Sequence, residues 1–177
     1  SMDCDNKIKE TFKAVIVLSE VLNRLSINFE ILGFNTRIYE YKDFDQPMSK
    51  PIRENMGGML KEVDNYEWSC NTDSGWALEE ASERLSHQKA DQKFLIVLSD
   101  GMPQESAMHL RSKYELGKVI QKVLAETDIK LIGLGVGEGT EHVGEYYPNS
   151  IANVEVKEMA EKLADLIEEV VANYDKF

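Results

Sequence analysis

This sequence contains few cysteines and prolines and no long apolar run. Its 177 residues include two cysteines and four prolines. Cys4 and Cys70 are too few for a disulfide framework and lack the spacing of a metal-binding pair, so we expect free thiols in a reducing compartment. No run approaches the roughly 18 apolar residues of a transmembrane helix, and the polar N-terminus is unlike a signal peptide. These absences predict a cytoplasmic protein that does not span a membrane.

Positive charge is also scarce, because 20 Lys and Arg stand against 32 Asp and Glu and the formal net charge is −12. Nucleic-acid backbones and anionic membranes attract Lys and Arg, so neither is expected as the main partner. A cation or a basic partner remains compatible with this charge. The simplest interpretation is an acidic surface that keeps the protein soluble.

Helical and extended patterns alternate along the chain, of which 42% is hydrophobic. Apolar residues recur three or four positions apart in four segments, which predicts helices at 7–25, 74–86, 111–126 and 156–174. Short apolar runs predict strands at 29–34, 94–98, 130–136 and 150–156.

The arrangement of these segments predicts the fold class. The alternating run 37–42 has the pattern of an antiparallel edge strand, whereas the unbroken apolar run 94–98 is typical of a strand covered on both faces in a parallel sheet. Residues 43–70 are loop-rich, with a short helix expected near 59–63. We predict one α/β domain over residues 1–177, with a doubly wound (Rossmann-like), mainly parallel sheet.

Candidate metal ligands follow from the strand ends. In open α/β sheets, ligands bind beyond the carboxyl ends of the strands. Asp100 ends the strand in FLIVLSDGMP, and Thr72 and Asp73 precede the helix in CNTDSGWALEEA. A hydroxyl and a carboxylate from separate loops are hard oxygen ligands that suit Mg²⁺ or Mn²⁺. Taken alone, the same residues are better explained as a turn and a helix N-cap.

The order of NTDSGWALEEA, FLIVLSDGMP, KLIGLGVG and VEVKEMAEKLADLIEEV resembles a von Willebrand factor type A (VWA) domain from Lys7 onward. In that family a D-x-S-x-S motif, a threonine and an aspartate form a metal-ion-dependent adhesion site. By this resemblance, Thr72 matches the threonine and Asp100 the aspartate. The segments LGFNTR and KDFDQP look most similar to a bacterial intracellular branch, which includes the cobalt chelatase T subunit and the nitric oxide reductase D protein.

The sequence departs from the family at its beginning. The family's first strand, which is central in the sheet and carries D-x-S-x-S, has no counterpart before the first helix. Ser1 is at best the last residue of that motif, or the remnant of a cleaved tag, so the metal ligands that remain are Ser1, Thr72 and Asp100. A missing central strand leaves a gap of roughly 9–10 Å. We therefore expect no intact metal site in this chain, which we interpret as the C-terminal part of a longer protein.

The missing strand allows three outcomes. The sheet closes up, a neighbouring chain lends or exchanges a segment, which gives a dimer, or a preceding part of a longer chain fills the gap. Unpaired backbone groups along the gap would be costly in each case where nothing fills it.

The resemblance implies a binding module and not an enzyme. In the family, a carboxylate from a protein partner completes the coordination of the metal. The related bacterial proteins work beside AAA+ ATPases of the MoxR or chelatase type, so such an ATPase is an expected partner. Two alternatives remain: a Mg²⁺-dependent phosphoryl-transfer enzyme that uses Asp100, and a domain that interacts through its surface alone with a vestigial metal site.

Two further features have simple interpretations. His87, His109 and His142 have no Cys or Asp at ligand spacing, so we expect them at the surface or in loops. The glycines of GLGVGEG follow a predicted strand but no P-loop Lys-Ser or Lys-Thr follows them, so we expect them to ease the strand into a loop and not to bind a phosphate.

Overall fold

The computed structural model describes residues 5–35, 37–58, 73–99 and 115–174, in which helices and strands alternate. The α-helices are α1 (Asp5–Arg24), α2 (Lys50–Met56), α3 (Ser74–Ser86), α4 (Leu116–Glu126), α5 (Val143–Tyr146) and α6 (Met159–Tyr174). The strands are β1 (Ile31–Phe34), β2 (Ile38–Lys42), β3 (Lys93–Ser99), β4 (Ile129–Val136) and β5 (Asn149–Val154).

The strands form two sheets. β3, β4 and β5 make a parallel sheet in that order, with Lys93 opposite Ile129 at one end and Ser99 opposite Gly135 at the other. β1 and β2 make an antiparallel hairpin. The parallel sheet, the helices between its strands and the antiparallel edge confirm the predicted α/β, Rossmann-like class.

The two sheets are not hydrogen-bonded to each other within the described residues. The break lies between β1 and β3, which is where the missing central strand was expected. Its effect is visible in β3: every residue of β3 is half-buried, whereas every residue of β4 is buried. The prediction that the run 94–98 is covered on both faces is confirmed, because its alternate residues pack against the core clusters on the two sides of the sheet. Its partial exposure comes from its edge, since within the described residues β3 pairs only with β4.

Two helices, one on each face, connect the two sheets across this break. On one face, Ala14 and Leu18 of α1 pack against the core over β4, while Phe12, Val15 and Leu22 of the same helix pack against the hairpin. α1 is thus covered on more than one side. On the other face, α3 packs against both β3 and β1. The helices hold the hairpin and the parallel sheet together without strand pairing.

The loop-rich region contains a helix that the sequence pattern did not indicate. α2 has Pro51 in its first turn, where a missing backbone N–H is harmless. Its Met56 is buried against the hairpin core. The short helix expected near 59–63, as well as Cys4 and Cys70, lies outside the described residues.

The last helix begins differently from its predicted start at 156. Val156–Glu158 is a 3₁₀ turn, and the α-helix begins at Met159, which is fully buried. Among the helices of the described ranges, none combines the length and the apolar character needed to cross a membrane.

Candidate functional site at the carboxyl end of the sheet

The three predicted metal ligands, Ser1, Thr72 and Asp100, lie outside the described residues, so their roles stay predictions. Two of them are directly adjacent to residues whose positions are described. Thr72 precedes Asp73, the residue before α3, and Asp100 follows Ser99, the last residue of β3. The site is therefore built from these two neighbours and from what surrounds them.

The start of α3 is fixed to the end of β1. The Asp73 N–H donates to the carbonyl oxygen of Asn35 at 3.1 Å, and the Asp73 carbonyl accepts the first helical hydrogen bond, from the Ala77 N–H at 3.0 Å. Asp73 is buried, with 4% of its surface exposed. Its side chain makes no capping hydrogen bond to the described amides of the first turn, so the alternative that Asp73 caps the helix through its carboxylate is not supported.

The start of α3 and the end of β3 point to the same end of the molecule. The Lys93 ammonium donates to the Ser86 carbonyl at 3.1 Å, which puts the end of α3 beside the start of β3. The helix packs along the strand and is about 20 Å long, close to the roughly 23 Å of the strand. Because the two run in opposite directions, Asp73 and Ser99 lie at the carboxyl end of the sheet.

A histidine that the sequence interpretation assigned to the surface or a loop lies at this end. His142 is buried, with 7% exposure, and its Nε2 is 3.1 Å from Ser99 Oγ. The expectation is confirmed for His87, which is exposed, and it lies outside the described residues for His109. His142 lies in the turn before α5, as expected for a loop, and its burial was not anticipated. The usable signal was its place after β4, since loops that follow parallel strands meet at this edge.

The glycine-rich end of β4 is filled by the chain's own side chains. A Cβ on Gly133 would lie 2.5 Å from the ring of Tyr147, and a Cβ on Gly135 would lie 2.2 Å from Thr140 Oγ1. Burial raises the pKa of the Tyr147 hydroxyl. Only Gly137 and Gly139, with φ of +76° and +78°, serve the turn. Two of the four glycines therefore make room for packing within the strand, which the interpretation as a strand-to-loop transition did not include.

The donor atoms at this end suit a hard cation but are incomplete. The Asp73 carboxylate and the Ser99 hydroxyl are oxygen donors of the kind that Mg²⁺ and Mn²⁺ take. In the described ranges, however, no three Asp, Glu, His or Cys side chains converge as metal ligands do. A metal at this edge would thus depend on residues such as Thr72 and Asp100.

The family model for the VWA domain of the cobalamin biosynthesis protein CobT matches residues 38–173, which is more than half of the chain. The chain belongs to this family. Both Thr72 and Asp100 fall within the matched range. The predicted VWA resemblance and its chelatase-type branch are confirmed.

Comparisons with individual proteins agree with a VWA domain. The chain is 25% identical over 114 residues to the uncharacterized protein YojO of Bacillus subtilis (strain 168). This alignment covers 58% of the chain and 17% of YojO. The fold is similar to that of proximal thread matrix protein 1 (PTMP1) from the mussel byssus, in a structure with zinc-occupied MIDAS motif. The TM-score is 0.62 at 16% identity, over 93% of this chain and 43% of that one.

A second solved structure with this fold is a single-residue mutant of the PilB minor pilin from Streptococcus sanguinis. Its TM-score is 0.60 at 13% identity, over 92% of this chain and 54% of that one. The VWA domain described here thus spans well under two thirds of these proteins. At such low identities the structural likenesses show the fold alone.

Proposed function

We propose that this VWA domain is a metal-ion-dependent protein-binding module and not an enzyme, and that it works beside an AAA+ ATPase of the MoxR or chelatase type in the bacterial cytoplasm. The CobT family membership supports an interaction module of the chelatase branch. The proposal goes beyond family membership in three respects, which are the ATPase partner, the cytoplasmic location and the absence of catalysis.

One observation carries the proposal. The residue after Thr72 and the residue before Asp100 lie at the same end of the sheet, the end where open α/β sheets bind ligands. If the two had been at opposite ends, no single ion could join Thr72 to Asp100.

In the proposed mode of binding, the Thr72 hydroxyl and the Asp100 carboxylate hold Mg²⁺ or Mn²⁺, with Ser1 as the remaining protein ligand. A cation held by so few protein ligands keeps coordination positions open. A carboxylate of a partner protein fills one of them, so metal and partner bind together. The zinc-occupied MIDAS motif of PTMP1 supports a divalent ion in this fold, and the preference for Mg²⁺ or Mn²⁺ rests on the oxygen ligands.

The test uses the natural gene product that contains this chain and a purified MoxR-type ATPase from the same organism. Binding is measured by interferometry in Mg²⁺, in Mn²⁺ and in EDTA. We expect binding in either ion, loss in EDTA, and at least a tenfold loss for Asp100→Ala and Thr72→Ala. The matched control is Asp91→Ala, because Asp91 is an exposed aspartate in the loop before β3.

Each other result contradicts a defined part of the proposal. Binding that survives EDTA and Asp100→Ala would show a surface-only interaction with a vestigial site. Hydrolysis of phosphate esters that Asp100→Asn abolishes would show the phosphoryl-transfer alternative. Calorimetry on the 177-residue chain alone should detect only weak Mg²⁺ binding, and tight binding that Asp100→Ala removes would show that its site is complete.

We propose further that the break between β1 and β3 accepts a strand from a neighbouring copy of this chain, by segment exchange or dimerisation. Support comes from the absence of strand pairing between β1 and β3 within the described residues and from the half-buried apolar residues of β3, since an open apolar edge is a template for pairing. Sedimentation equilibrium of the 177-residue chain should show a concentration-dependent dimer. A monomer at all concentrations would contradict this.

A further inference from the structure

The Ser99–His142 contact joins the end of β3 to a loop that is far from it in sequence. His142 Nε2 and Ser99 Oγ are 3.1 Å apart and 43 residues apart in sequence. Ser99 is the last residue of β3, so the contact holds the point where the chain leaves the sheet towards Asp100. The imidazole is buried at the edge of the sheet and not directed into solvent.

The loop that carries His142 is itself rigidly built. Thr140 and Asn153 bond reciprocally: the Thr140 N–H donates to Asn153 Oδ1 at 3.1 Å, and the Asn153 N–H donates to Thr140 Oγ1 at 2.8 Å. Thr140 is fully buried, and its hydroxyl also donates to the Gly137 carbonyl at 3.1 Å. Asn153 has a φ of +56°, a conformation that persists only when its surroundings hold it.

The other side of His142 is anchored as well. The His142 carbonyl accepts from the Glu145 N–H at 3.0 Å, as the first turn of α5 forms. The next residue, Val143, is fully buried, and Tyr147 just after α5 packs over Gly133. Because both flanks are held, the backbone of His142 cannot follow a displacement of Ser99 without breaking these bonds.

We propose that His142 is a positioning residue. From a loop that is held on both flanks, it bonds to Ser99 Oγ and so fixes the peptide that leads into Asp100. This rests on the proposed function, in which Asp100 binds the metal. Partners that orient a metal ligand affect metal affinity by about 10–100-fold even though they never touch the ion. His142 acts here through Ser99, one residue before the ligand.

The first test needs no metal. Amide hydrogen exchange of the natural gene product in EDTA should show faster exchange at Leu98 and Ser99 in His142→Ala, by at least about tenfold for a local opening. His142→Gln should retain slow exchange, because the Gln amide can reach the position of Nε2. The matched control is His87→Ala, since His87 is exposed, directly follows α3 and has its ring nitrogen Nδ1 within hydrogen-bonding distance of the Glu83 carbonyl.

The second test measures Mn²⁺ affinity by calorimetry of the same variants. We expect His142→Ala and Ser99→Ala each to weaken binding by about tenfold, the double variant to be no weaker than either, and His142→Gln to restore affinity. Full additivity, or equal loss in His142→Ala and His142→Gln, would overturn the positioning role.

The two proposals fail separately. If Asp100→Ala leaves Mn²⁺ affinity unchanged, the metal function is wrong, whatever His142 does to exchange at the end of β3. If Asp100→Ala abolishes binding while both His142 variants match the unsubstituted protein in exchange and affinity, the metal function stands and the positioning role is wrong.

Discussion

At the scale of single residues, the end of β4 is determined by the absence of side chains. Gly133 and Gly135 lie in a strand whose every residue is buried, and the space above them belongs to Tyr147 and Thr140. Protein interiors are close-packed, so an added methyl group at these positions has nowhere to go. The glycines therefore fix where the loop after β4, and with it His142, lies against the sheet.

Gly135→Ala tests this packing. Its Cβ would lie 2.2 Å from Oγ1 and 2.5 Å from Cβ of Thr140, which is fully buried and hydrogen-bonded. We expect the free energy of unfolding in urea to fall by about 1–3 kcal/mol. Gly117→Ala is the control, because its Cβ meets nothing within 4 Å and the residue is helical. The control should be neutral or up to about 1 kcal/mol more stable, and an equal loss in both variants would refute the packing argument.

Asn153 separates backbone from side-chain effects. Asn153→Gly keeps the φ of +56° without strain but removes the acceptor of the buried Thr140 N–H, so we expect a loss of about 1–3 kcal/mol in the free energy of unfolding. Asn153→Ala removes the same acceptor and adds roughly 1–2 kcal/mol of left-handed strain. Thermal and urea unfolding should rank the natural protein first, glycine second and alanine last. An Asn153→Gly variant as stable as the natural protein would contradict the role of the Asn153 side chain as a hydrogen-bond acceptor.

At the scale of elements, the hairpin is attached to α3 by charge as well as by packing. Arg84 of α3 donates from Nε to Glu30 Oε1 at 2.8 Å and from Nη1 to Glu40 Oε1 at 2.9 Å. The Glu30 side chain is 7% exposed and that of Glu40 is 55% exposed. The hydrogen bond to Glu30, more than the one to Glu40, raises the pKa of the Arg84 guanidinium.

The two glutamates should therefore contribute unequally to the free energy of unfolding. We expect Glu30→Gln to lower the free energy of unfolding by about 1–2 kcal/mol, because a charge-assisted hydrogen bond is lost at a buried position and Arg84 is only partly screened by solvent. Glu40→Gln should cost under about 1 kcal/mol, as exposed pairs do. Urea denaturation of both variants measures this. Equal losses would mean that burial of Glu30 does not strengthen its bond to Arg84.

At the scale of the whole molecule, stability should be uneven because the described strands fall into two sheets. β4 has strand partners on both sides, whereas β1 and β2 pair only with each other within the described residues. A two-stranded hairpin is marginal alone and depends on what it packs against. Here that support comes from α1, α2 and α3.

Hydrogen exchange tests this division. Amides of β4 should exchange only through global unfolding, while those of β1 and β2 should exchange at least about tenfold faster through partial opening. Glu30→Gln should speed exchange in the hairpin further. The amides of β4 should change only by the loss in the free energy of global unfolding. Equal protection in the two sheets would show that they unfold as one unit.

Periodicity in this sequence predicted α1, α3, the hairpin and the parallel strands to within a few residues, because helix and strand periods are local properties. The same local signals missed α2, which has Pro51 in its first turn, and did not indicate that β3 has an unpaired edge within the described residues. The burial of a strand's edge depends on which strand pairs beside it. A run of apolar residues does not indicate which strand that is. The candidate ligands Thr72 and Asp100 came from strand-end logic joined to family resemblance, and they remain predictions.

By itself the sequence determined the alternation of elements, the acidic charge and the family, since each is written in residue type and spacing. Only the tertiary structure decided that His142 is buried against Ser99, that Tyr147 and Thr140 occupy the space over Gly133 and Gly135, and that α1 and α3 each pack against both the hairpin and the parallel sheet. These are contacts between residues distant in the chain. Their energies depend on shape and distance in three dimensions, which no local pattern contains.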